Sequence, residues 1–116
     1  MQIRIGKSGL SVVLSSALFW GFLSTASAVD ADAARTLARQ SNCFKCHAID
    51  KDKDGPAWKK VAEKYKGKAG AEEKLIKHVT TGEKAKFPDG HEEDHAIVKT
   101  KDQAQIKNLV DWILSL

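Results

Sequence analysis

Two thiols and an imidazole stand in one five-residue run, Cys43-Phe44-Lys45-Cys46-His47. A thiolate is a nucleophile and a metal ligand, and an imidazole is a metal ligand or a proton carrier. Three chemistries use such a run. A redox dithiol needs a strand–helix–strand setting, and no strand pattern surrounds this one. A tetrahedral zinc site needs a second close ligand pair, and the chain has no further cysteine. The third is covalent attachment of haem c, whose pattern is Cys-x-x-Cys-His. Each thiol adds across one vinyl group of the porphyrin, and the two-residue gap sets the sulfurs on neighbouring vinyls. His47 then falls beneath the iron as proximal ligand. Cys43 and Cys46 read as anchors of one haem c per chain.

Thioether attachment takes place outside the cytoplasm, and residues 1–28 read as a secretory signal. Arg4 and Lys7 give a positive start, residues 10–23 are mostly apolar, and Ala26-Ser27-Ala28 is a cleavage triplet of the small-x-small type. The apolar run is short for a membrane span. The expected product is one domain, residues 29–116, exported to the periplasm with no membrane insertion. With 42% hydrophobic and 29% charged residues the composition is that of a globular chain. Beyond the leader there are 17 basic and 15 acidic side chains, a net charge of +2. That balance lacks the basic excess of a nucleic-acid binder. The 88 residues left are a marginal size for a self-sufficient core. Two cysteines three apart cannot tie a disulfide framework, so a group attached at them is the expected staple.

The elements that must position this run read as helices. Residues 30–40 are alanine-rich, with Leu37 and Ala38 on one side and Asp30 or Asp32 in an acidic first turn. Residues 50–56 form a polar loop of alternating charge, closed by Gly55-Pro56. Residues 57–66 carry Trp58, Val61, Ala62 and Tyr65 at helical spacing. Residues 71–81 form a third helix with Leu75, Ile76 and Val79 inward and Gly82 as its C-cap. Residues 82–99 show no helical period and contain the turn signal Pro88-Asp89-Gly90. Thr100-Lys101-Asp102-Gln103 reads as a capping box opening the last helix. That helix buries Ile106, Leu109, Val110, Ile113 and Leu116. With no strand pattern, the expected class is all-α.

The chain resembles the short bacterial class I cytochromes c, soluble single-haem electron carriers. The resemblance rests on Cys43-Phe44-Lys45-Cys46-His47-Ala48-Ile49-Asp50, Gly55-Pro56-Ala57-Trp58-Lys59-Lys60-Val61-Ala62, Lys68-Ala69-Gly70-Ala71-Glu72 and Leu109-Val110-Asp111-Trp112-Ile113-Leu114-Ser115. It implies a cytochrome c fold of about four short helices round one haem, the first and last crossing. Leu37 and Ala38 would then meet Leu109, Trp112 and Ile113, and Trp112 would fill the space left because Ala38 replaces a large aromatic. It also implies that the Pro56 carbonyl accepts a hydrogen bond from His47 and orients it. His78 stands where the family has a partner for a haem propionate, and Trp58 packs the haem.

The family's sixth ligand is a methionine before the last helix. The only methionine here is Met1, inside the expected leader. Methionine ligation is therefore excluded by counting, and with it the high potential that methionine confers. His91 and His95 lie in the segment that should supply the ligand. His95 precedes the apolar run Ala96-Ile97-Val98 and stands five residues before Thr100, the family distance. His91 follows Pro88 by three, as the family methionine follows a proline, but it sits between a turn and two acids. His95 is the first choice and His91 the second, with an open iron as the remaining outcome. Two imidazoles would give a low-spin iron of lower potential, and Glu92, Glu93 and Asp94 would push the same way.

The function expected is electron transfer between redox partner proteins, with no catalytic residue. Lys51, Lys53, Lys59 and Lys60 could steer an acidic partner. A different class stays open: a haem protein that binds carbon monoxide, nitric oxide or oxygen when a histidine in the loop 83–99 detaches. An accessory subunit with Trp58 or Trp112 at an interface is a weaker third reading.

Overall fold

Asp30 opens the first helix, α1 (Ala31–Gln40), by accepting from the Ala33 N–H at 2.9 Å. A carboxylate there satisfies a free donor and meets the positive end of the helix dipole. The computed structural model describes residue 21 and residues 27–116. Apart from positions 21, 27 and 28, the expected leader lies outside the described residues. Ala34, Leu37 and Ala38 form the buried stripe of α1. Ser41 ends the helix, and Asn42 follows at φ 59°, in the left-handed region that asparagine tolerates. That reversal turns the chain into one 3-10 turn, Cys43–Lys45.

The next three helices are α2 (Trp58–Tyr65), α3 (Ala71–Thr81) and α4 (Gln103–Leu114). Gly82 closes α3 at φ 66°. The last helix starts two residues later than the capping box placed it. Its N-cap is Asp102, which accepts from Ala104 N at 2.9 Å and Gln105 N at 3.2 Å. A charged carboxylate outcompetes the Thr100 hydroxyl for those donors, and Thr100 Oγ1 instead accepts from Asp102 N.

The expectation of no strands is corrected in one place. Strand β1 (Lys84–Lys86) pairs antiparallel with β2 (Glu92–Asp94), Lys84 opposite Asp94 and Lys86 opposite Glu92. The pairing is carried by backbone bonds and by ion pairs such as Lys84–Asp94 at 2.6 Å, not by an apolar face, so no hydrophobic alternation announces it. Segment 83–99 is also better held than its composition suggests. His95 N donates to Glu83 O, Val98 N to Val79 O, and Lys99 N to the buried Ser41 hydroxyl.

Helix α4 packs against α1, α2 and α3. Ile106, Leu109 and Val110 are its innermost side chains. Leu37 and Ala38 share one core cluster with Leu109, Trp112 and Ile113, as the resemblance implied. Trp112 meets the Trp58 ring edge-on at 5.4 Å and carries the Arg35 guanidinium over its outer face. Asn108 ties the start of α1 to α4, accepting from Asp30 N and donating to Asp30 O, both at 2.8 Å.

Candidate functional site

The 3-10 turn presents both cysteines as free, half-buried thiols. Cys43 O accepts from Cys46 N and His47 N, which curls the motif so that its three side chains can face one side. Burial pushes the Cys43 thiol above its ordinary range, and the neighbouring Cys46 adds to that.

His47 is fixed from three directions. Its Nδ1 lies 2.7 Å from the Pro56 carbonyl. A carbonyl can only accept, so Nδ1 carries the proton and Nε2 keeps a free lone pair. The Trp58 ring stacks on the imidazole at 5.6 Å and 22°. Gly55 closes the third side, since a Cβ there would lie 2.6 Å from His47 Cε1. The loop that brings Gly55 and Pro56 to this place is bonded on both flanks. Gly55 N donates to Cys46 O at 2.7 Å, and Ala57 N donates to Asp52 Oδ1 at 2.9 Å. Burial lowers the His47 pKa, the Pro56 bond opposes that, and His78 and Lys53 add repulsion.

The His95 ring faces His47 with centroids 6.1 Å apart and planes tilted by 55°. Its Nδ1 is buried and has no hydrogen-bond partner among the described residues. Burial, with the nearby His78 and His47, pushes its pKa down to about 4, so the ring is a neutral donor at pH 7. His78 lies 4.0 Å from the His95 ring, and its Nδ1 is 3.4 Å from Glu83 Oε2. His91 is elsewhere. It sits exposed at the hairpin tip, stacked on Phe87 and bonded to Asp89 and to Glu93. Both carboxylates hold its pKa above the ordinary value.

His47, His78 and His95 line one cavity of about 940 Å³ together with Cys43, Cys46, Pro56 and Trp58. Val61, Leu75, Val79, Leu109, Val110 and Ile113 give it an apolar wall. His91 does not line it. A second hollow of about 560 Å³, between residues 62–73 and Leu114, contains no histidine or cysteine. The donor set of the larger cavity fits a haem. Two thiols and the His47 and His95 imidazoles line it, and an apolar wall suits a flat macrocycle. The His47 and His95 rings lie 6.1 Å apart among these lining residues.

Sequence reasoning brought together Cys43, Cys46, His47, Pro56, Trp58, His78 and His95. It missed Asp52, read as part of a solvated loop, and the wall residues Tyr65 and Leu75, whose helical spacing marked them only as core. The contact of His78 with His95 joins residues 17 apart and has no local signal. Of the lysines named for steering, Lys59 pairs with Asp50, Lys60 pairs with Asp52, and Lys53 donates to Phe44 O.

The family model for cytochrome c matches residues 31–116. Cytochrome c-551 of Allochromatium vinosum is 39% identical over 80 residues, covering 69% of this chain and 82% of that protein. Cytochrome c2 of Rhodocyclus tenuis is 41% identical over 83 residues, covering 69% and 88%. Among solved structures, the class 1 cytochrome MtoD from Sideroxydans lithotrophicus ES-1 is 71% identical with a TM-score of 0.73, covering 76% of this chain and 97% of that one. Nitrosomonas europaea cytochrome c552 is 29% identical with a TM-score of 0.55, covering 70% and 96%.

Proposed function

The chain belongs to the cytochrome c family, a family of small electron carriers that bind haem c, and from that premise we propose a periplasmic monohaem carrier whose iron is held by His47 and His95. The observation that carries the ligand assignment is the 6.1 Å opposition of these two rings across the cavity. Met1, the only methionine, is remote in sequence from the segment where the family's ligand lies. His91, held by Asp89 and Glu93 outside the cavity, is the weaker candidate.

When bound, the haem supplies a one-electron ferric–ferrous couple. The protein's own groups do the rest. Cys43 and Cys46 anchor the macrocycle covalently, one haem per chain. Pro56 keeps the proton on His47 Nδ1, so that Nε2 donates. Trp58, Leu75 and Val110 exclude water from the apolar side. His78, beside Glu83, serves a propionate. Two imidazole donors stabilise the ferric ion more than an imidazole–methionine pair does, so the potential lies below that of a methionine-ligated relative. Residues 1–28 are removed on export, and residues 29–116 act as a single domain between a donor and an acceptor protein. Among the described residues no helix is long and apolar enough to cross a membrane.

Gas binding through a labile loop histidine is not favoured by any compared relative. The loop itself is pinned beside His95 by the bonds to Glu83 O and Val79 O. The test is the mass and ferric spin state of the exported protein. One haem per chain and a low-spin ferric signal are expected. A high-spin ferric signal would remove the second imidazole.

A further inference from the structure

Pro56 C=O and Ala57 N–H are the two ends of one peptide group. His47 Nδ1–H donates to its oxygen at 2.7 Å, and Asp52 Oδ1 accepts from its nitrogen at 2.9 Å. The peptide is planar and conjugated, so an anion at the N–H end drives electron density toward the carbonyl oxygen. Hydrogen bonds arranged in series polarise one another in this way, by about 10–30% per bond. We propose that Asp52 is a positioning residue for the haem ligand His47, acting on it through the Pro56–Ala57 peptide as a carboxylate–peptide–imidazole chain.

The remainder of the loop supports that role. The second carboxylate oxygen of Asp52 is paired with Lys60, one turn along α2, which aims the first at Ala57. Ala57 is the N-cap position of α2, whose first N–H groups, Trp58 N and Lys59 N, donate to Ala48 O and Ile49 O, so the peptide that Asp52 holds is fixed on its helix side too. The same two partners hold the Asp52 carboxyl below its ordinary pKa, which leaves it ionised at neutral pH. A carboxylate bonded directly to a ligand imidazole raises its basicity. One peptide further away, the effect has the same sign and a smaller size. A more basic His47 favours the ferric ion and lowers the potential.

The inference rests on His47 being an iron ligand, and the experiment separates the two. Asp50 provides the control. It lies in the same loop and pairs with Lys59 as Asp52 pairs with Lys60, but it is not bonded to the peptide that holds His47. The midpoint potentials of the haem-loaded Asp52→Asn and Asp50→Asn proteins are measured beside the parent, with the ferric spectrum recorded for each. Asp52→Asn keeps an oxygen for Ala57 N and loses the charge. We expect a ferrous form favoured about threefold, a rise of about 28 mV at about 59 mV per tenfold for a one-electron couple, and less than half that rise in Asp50→Asn. The His47 Nδ1–H resonance should shift in the first variant only. Lys60→Gln against Lys59→Gln gives an independent comparison should Asp52→Asn assemble poorly. It unmasks the same carboxylate, so the potential should fall more in Lys60→Gln. Equal shifts in either pair, or none in Asp52→Asn or Lys60→Gln, would overturn the chain as a field common to the whole loop. A His47→Ala protein with the parent's ferric spectrum would remove His47 as ligand, and the chain with it.

Discussion

The His47 imidazole lies so close to Gly55 that a methyl group on Gly55 would stand 2.6 Å from Cε1 and 2.9 Å from both ring nitrogens. No side chain fits there unless the ring leaves its bond to Pro56. Gly55 is not among the residues of positive φ, so the demand for glycine is one of contact and not of backbone conformation. Gly55→Ala should therefore lower the yield of covalently bound haem and convert part of the ferric low-spin signal to high-spin. Gly82 makes the opposite case. Its φ of 66° is the cause, and a Cβ there meets neighbours at an ordinary 3.5 Å. Gly82→Ala should cost about 1 kcal/mol in urea unfolding and leave the haem spectrum alone. The same spectrum in both variants would contradict this division.

Asn108 joins the start of α1 to α4 across 78 positions through two bonds of 2.8 Å. Both ends are partly open to water, so each bond contributes at the modest end of the range. Asn108→Ala should lower unfolding stability by about 1–2 kcal/mol without changing the haem spectrum. A loss near zero would mean that water replaces the side chain fully.

His91 tests the hairpin. Asp89 and then Glu93 hold its pKa above the ordinary value of 6.5. A raised folded-state pKa contributes stability that is fully present below 6.5 and is lost as pH climbs through the folded value. The His91 ring should titrate above 6.5 by NMR, and Asp89→Asn should bring it down. Amide exchange at Phe87, whose N–H donates to His91 O at 2.9 Å, should quicken at the same pH. Titration at or below 6.5 would show that the clamp does not form in solution.

What could be read from the chain divides by the range of the interaction. Cys43, Cys46 and His47 are contiguous, so their chemistry is written locally. The helices were legible because Trp58, Val61, Ala62 and Tyr65 repeat at helical spacing, and because Gly82 and Asp30 are strong stop and start residues. The hairpin was not, since Lys84–Lys86 and Glu92–Asp94 pair through backbone and charge and bury little. Asp52 was hidden for a related reason. In a run of alternating lysines and aspartates, only the folded loop shows which carboxylate meets Ala57 N. The preference for His95 over His91 was legible in the apolar run Ala96-Ile97-Val98, while their places in the fold, His95 lining the cavity and His91 outside it, were not, because both lie in one loop.

The most direct test of the bis-histidine reading is the visible spectrum of the dithionite-reduced protein with and without carbon monoxide, taken for the parent, His95→Ala and His91→Ala. The parent and His91→Ala should stay low-spin and ignore carbon monoxide. His95→Ala should turn high-spin and bind it at once. Rapid carbon monoxide binding by the parent, or an unchanged spectrum in His95→Ala, would contradict ligation by His95.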